Sequence, residues 1–98
     1  MTFALSVAES AAESLKELKH SPHLKKRYDA VTKALKFLST NPRHPGLQTH
    51  KFTSLSGPNG EEVFEAYAEQ NTPAAYRIFF FYGPRHREMT ILAITPHP

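Results

Sequence analysis

Tyr76-Arg77-Ile78-Phe79-Phe80-Phe81-Tyr82, then Gly83-Pro84, then Met89-Thr90-Ile91-Leu92-Ala93-Ile94-Thr95, is the stretch that decides the fold. Both runs are rich in aromatic and β-branched residues, and a tight Gly-Pro connection separates them. They predict two neighbouring antiparallel strands. Alternation puts Tyr76, Ile78, Phe80 and Tyr82 on one face and Arg77, Phe79 and Phe81 on the other. In the second run Met89, Ile91 and Ala93 oppose Leu92 and Ile94, so both faces are apolar and a central position is expected. A single arginine in such a run is either paired or turned toward a working surface. Glu65 is the carboxylate best placed by the pattern to pair it.

Upstream, Val63 to Ala68 reads as another strand, bounded by Ser56-Gly57-Pro58-Asn59-Gly60 and by a turn over Gln70 to Pro73. Gln48 to Leu55 is a weaker strand, and Pro42 to Leu47 a rigid basic loop. Leu24, Tyr28, Val31, Leu35 and Leu38 recur at helical spacing, and Lys25, Lys26, Arg27, Lys33 and Lys36 lie off that stripe. Ser21-Pro22 reads as the start of this helix, serine as N-cap and proline at the first position, and Asn41-Pro42 as its end. Ala8, Ala11, Ala12, Leu15 and Leu18 mark an earlier helix over about residues 8 to 19. Phe3, Leu5 and Val7 alternate as a short first strand. The order is β-α-α-β-β-β-β over one domain, 1–98. An α+β fold of two layers follows, a helix hairpin packed on one face of a mainly antiparallel twisted sheet. The other face is expected to be open, its aromatic residues beside Arg77 suiting base stacking and phosphate binding.

The chain has 98 residues, 40% of them hydrophobic, which suits one globular domain with a modest core. It has no cysteine, which excludes a disulfide framework and thiolate metal sites. No apolar run is long enough to span a bilayer, and Met1 to Val7 has no signal-peptide pattern, so a cytoplasmic location with no membrane partner is expected. The net charge of +3 permits an RNA or acidic-protein partner. His44 and His50 flank the Pro-Gly loop at a spacing that matches no zinc pattern. No phosphate-binding Gly loop, nucleophile elbow or HExxH motif is present.

Taken in order, Leu38-Ser-Thr-Asn-Pro-Arg-His-Pro-Gly-Leu47, His50-Lys51-Phe52, Leu55-Ser-Gly57, Val63-Phe-Glu-Ala-Tyr67, Tyr76-Arg77-Ile78 and Ile91-Leu-Ala-Ile94 resemble the RelE/ParE superfamily of toxins from bacterial toxin–antitoxin systems. The resemblance covers nearly the whole chain and is nearest to a RelE-like branch ending in Pro-His-Pro. It implies a small cytoplasmic toxin bound by a cognate antitoxin, which lays an extended or helical segment over helices and sheet. It further implies either mRNA cleavage at the ribosome, as in RelE-like members, or inhibition of DNA gyrase, as in ParE-like ones. A member without toxic activity is the third reading. Arg77 matches the arginine that contacts the scissile phosphate in RelE-like nucleases, and Lys51 lies in a segment that contributes to nucleic-acid binding. Glu65 and Tyr67 stand where those nucleases place two lysines. His97 stands where the family has a late arginine, and the later catalytic tyrosine has no counterpart before Pro98.

Attack of a ribose 2′-hydroxyl on its own phosphate needs a base, an acid and a cation, and no metal or cofactor. Histidine suits proton transfer near neutral pH, and arginine's fork matches phosphate oxygens. The expected catalytic set is therefore Arg77, His97 and Lys51. His50, Tyr67, Tyr76 and Arg43 are the expected RNA-binding residues.

Overall fold

A computed structural model describes residues 2–70 and 72–97. Its elements run β1 (Ala4–Val7), α1 (Glu9–His20), α2 (Lys25–Thr40), β2 (His50–Ser56), β3 (Glu62–Tyr67), β4 (Tyr76–Tyr82) and β5 (Glu88–Pro96). Short 3-10 turns, Pro22–Leu24 and Pro45–Leu47, precede α2 and β2. The sheet order is β1-β5-β4-β3-β2. Neighbours β2 to β5 are antiparallel, and β1 joins β5 in parallel. β4 is central; β5, expected to be central from its two apolar faces, is instead second from the edge, flanked on its outer side by β1. No helix among the described residues is long and apolar enough to cross a membrane.

The helices form where the apolar period is 3.6. Ala11 and Leu18 of α1, and Val31, Ala34 and Leu38 of α2, meet Ala66, Ile78, Phe80, Met89, Ile91 and Ile94 of the sheet in one buried cluster. Each leucine so buried contributes about 1.5–3 kcal/mol. Ser21 does not cap α2. Its own carbonyl accepts the Leu24 N–H at 2.8 Å, the donor a serine cap would have taken, and the helix proper starts at Lys25.

Two further expectations are corrected. Ile91 and Ile94 share the helix face, although an uninterrupted strand would separate them. The β4–β5 register steps from Phe79↔Ala93 to Phe80↔Ile91, so Leu92 is an extra residue. This bulge shifts the alternation by one and returns Ile91 to the core. The second sheet face is also not an open aromatic platform. Val63, Phe79 and Phe81 are buried outside the helix-side cluster. Phe52 lies against Phe79 with ring centroids 4.8 Å apart. Phe79 and Phe81 thus form a small second apolar layer, and their rings are not free for base stacking.

Candidate functional site

The site grows from strand pairing. Glu65 and Tyr67 are two residues apart on β3, and therefore on one face. The register sets Tyr67 opposite Arg77 on β4 and His50 opposite Glu65 on β2. Three side chains converge on the Glu65 carboxylate. Arg77 Nη1 donates to Oε2 at 3.0 Å, Tyr67 OH donates to Oε1 at 3.3 Å, and His50 Nε2 lies 2.7 Å from Oε1. Glu65 is 3% exposed and is the buried charged residue of the sheet. A carboxylate this dry persists only with partners of this kind.

The second nitrogen of His50, Nδ1, lies 2.8 Å from the Gln48 carbonyl oxygen. Both ring nitrogens thus face acceptors, and both bonds form together when the imidazole carries two protons. The Arg77 guanidinium lies over the Phe79 ring, 5.0 Å from its centroid, and its Nε is buried with no hydrogen-bond partner among the described residues. Burial pushes the Tyr67 hydroxyl above its usual pKa of 10.0; the Glu65 charge and hydrogen bond add to the rise, and Arg77 opposes it. Tyr67 is therefore a neutral donor at physiological pH.

His97 completes the arrangement from the end of β5. Its backbone N–H donates to the Ala75 carbonyl at 2.9 Å, and its ring lies 6.4 Å from that of Tyr67. Tyr67 and His97 line one end of a cleft of about 560 Å³, with Gln48, Gln70 and Thr72 on its walls. The loop forming this wall is held from outside. Arg27 of α2 donates to Glu69 at 2.8 Å and to the Pro73 carbonyl at 3.1 Å, and Gln70 Nε2 donates to the Gly46 carbonyl at 2.8 Å.

Three solved structures superpose on this chain over nearly its full length. A RelE–RelB complex from Pyrococcus horikoshii matches with a TM-score of 0.65 at 18% identity, covering 98% of this chain and 96% of that one. A YoeB/ParE toxin from Agrobacterium tumefaciens matches at 0.70 and 7%, covering 98% and 100%. A YoeB dimer from Staphylococcus aureus matches at 0.61 and 15%, covering 100% of both. The chain has the RelE/YoeB/ParE toxin fold. No protein-family model and no curated protein matches its sequence.

Within the RelE/YoeB/ParE fold of this chain, the residues singled out from sequence fall into three places. Arg77, Tyr67, His50 and His97 come together around Glu65 and the cleft beside it. Lys51 and Arg43 instead line a second cleft, of about 490 Å³, on the helix side of β2 and β3, and His50 reaches its rim. Lys51 also pairs loosely with Glu62, at 3.4 Å with both side chains exposed. Tyr76 is apart from both. It packs on the helix-side core and faces Leu18 and Leu24, as its opposite parity to Arg77 requires. Sequence reading placed Glu65 as a partner of Arg77 but missed it as the point where three strands meet. The i, i+2 spacing of Glu65 and Tyr67 carried part of that signal. The His50 contact depends on the β2–β3 register, which no local pattern specifies.

Proposed function

We propose that this chain is the toxin of a toxin–antitoxin pair and that it cleaves mRNA at the ribosome by acid–base chemistry. The observation that carries this reading is the gathering of Arg77, His50 and Tyr67 on the buried Glu65 carboxylate, with Tyr67 joining that cluster to His97 in the open cleft beside it. The RelE/YoeB/ParE fold supports it. In the reaction the 2′-oxygen attacks phosphorus, a 2′,3′-cyclic phosphate forms, and the bond to the 5′-oxygen breaks. Arg77 neutralises charge building on the phosphorane oxygens, and Glu65 holds Arg77 and His50 in place. His97 takes the proton from the attacking 2′-hydroxyl and delivers it to the departing 5′-oxygen, base first and acid second, while Tyr67 donates a hydrogen bond.

An antitoxin partner belongs to the same reading. The matched Pyrococcus structure is a RelE–RelB complex, and a net charge of +3 here suits an acidic partner segment.

One observation favours a second reading, in which the chain inhibits a protein target such as DNA gyrase without catalysis. Arg77 is already neutralised by Glu65, which weakens it as a phosphate clamp.

Inducing the chain in a bacterial host beside an Arg77→Ala/His97→Ala variant separates the two. Growth arrest with cut mRNA, lost in the variant, is the expected result. Arrest with intact mRNA supports the protein target, and absence of arrest removes the toxin assignment in that host.

A further inference from the structure

We infer that the second cleft, on the helix side of β2 and β3, is an anion site that takes a phosphate and base of single-stranded RNA. This would extend the strand's path around the β2 edge from the Glu65 cluster. The inference rests on the RNA-cleaving reading and adds to it a subsite that the chemistry at Arg77 does not need.

Four observations lead there. First, the cleft is lined by Arg43, His44, His50 and Lys51, with no carboxylate among its lining residues. The Arg43 guanidinium has no carboxylate or hydrogen-bond partner among the described residues, while Arg27 and Arg77 have both. An unpaired guanidinium beside a cleft presents its planar fork to whatever enters.

Second, the wall is built in advance. Thr49 Oγ1 donates to the Pro42 carbonyl at 2.7 Å and closes the loop carrying Arg43 and His44. His44 Nδ1 accepts the Gly46 N–H at 3.0 Å, and its ring stacks on Phe37 at 4.4 Å. With Nδ1 serving as acceptor, the neutral ring carries its proton on Nε2, which makes His44 a donor. A preformed donor set loses little freedom on binding.

Third, the same cleft holds rings. Tyr82 is 40% exposed and meets Phe64 edge-on at 5.4 Å. Cations beside an exposed aromatic face fit a nucleotide, phosphate on the guanidinium and base on the ring. A purely acidic peptide would leave Tyr82 unused, so RNA is the favoured ligand. Fourth, His50 belongs to both places, bound to Glu65 on one side and lining this cleft on the other. A strand passing from one cleft to the other would cross at His50.

The test uses the whole chain and a short 2′-O-methyl RNA, which binds but lacks the attacking hydroxyl. Binding is followed by fluorescence anisotropy across a salt series, for the native chain and for Arg43→Ala, Lys51→Ala and Tyr82→Ala. Arg43→Ala and Lys51→Ala are expected to weaken binding about tenfold and each to reduce the salt slope by about 1. Tyr82→Ala should weaken binding without changing the slope. Circular dichroism of each variant should match the native chain. Inorganic phosphate should shift the His44 and His50 ring resonances, and a Glu-rich peptide should not compete. Unchanged affinity and slope in the Arg43 and Lys51 variants would overturn the subsite, as would a Glu-rich peptide that displaces the RNA. Neither result depends on growth arrest or cleavage. A chain that cuts mRNA but whose variants bind the RNA as the native chain does loses only the subsite. A chain that binds as expected but cuts nothing loses only the nuclease reading.

Discussion

Arg77 reaches diagonally across two adjacent strands to Glu65, with Nη1 and Oε2 3.0 Å apart, and the carboxylate is almost dry. The pair is therefore both a structural brace and the anchor of the candidate site. Removing the cation alone strands a buried charge, so Arg77→Ala should cost about 3–5 kcal/mol. Adding Glu65→Gln should recover part of that loss, because the amide still accepts from Tyr67 without carrying charge. Urea unfolding of the two singles and the double closes the cycle. A double variant no more stable than Arg77→Ala would show that the charge is not the cause.

Tyr67 gives the fold a defined alkaline limit. Its pKa is raised in the folded chain, so the neutral hydroxyl is the form that folding favours. That contribution is fully present below the usual tyrosine value of 10.0 and is lost as pH rises through the higher folded value. Tyr67→Phe should lose about 1 kcal/mol at neutral pH with its hydrogen bond. Above pH 10 its stability should fall less steeply than the native chain's. Tyr82 shifts in the same direction through burial, so Tyr82→Phe is the control, and parallel alkaline curves for all three chains would contradict the assignment.

Arg27 should act on the cleft without touching it. Its bonds to Glu69 and the Pro73 carbonyl hold the β3–β4 loop against α2. In Arg27→Ala, amide exchange over residues 68–75 should accelerate while β4 and β5 stay protected. Uniform acceleration across the chain would mean that the residue supports the whole fold rather than the loop.

His97→Ala separates chemistry from stability. The ring lies at the end of β5, and the backbone bond to Ala75 survives truncation. Unfolding free energy should stay within about 0.5 kcal/mol of native. Cleavage of ribosome-bound mRNA should drop by about 10²–10⁴ if His97 moves a proton in the transition state. Full activity in the variant would remove it from the mechanism.

The helices and the β4–β5 pair were legible because each is set by a short-range period. Leu24, Tyr28, Val31, Leu35 and Leu38 can face one way only on a helix, and Tyr76 to Tyr82 can hardly be other than a buried strand. The Arg77–Glu65 pair was legible because one charge in an apolar run needs another. What escaped depends on register or closure at long range. The extra residue at Leu92 leaves no mark in a run where every side chain is apolar. The burial of Phe79 depends on where Phe52 lies, across an irregular β2–β3 pairing. His50 is expected from sequence as an RNA-binding residue, but its place on Glu65 follows only from its strand partner, and the same register turns Lys51 to the other face.

The parallel pairing of β1 with β5 sets the order in which the molecule can be finished. Ala4 lies beside Glu88 and Val7 beside Ile91, so β1 has its neighbour in β5, a strand far from it in sequence. Such distant pairing is slow, because the loop between the strands must be closed before the contact gives anything back. During synthesis the hairpins of β2 to β4 can assemble while β1 waits with its edge unsatisfied. β1 is thus the strand that locks last, once β5 has paired with β4.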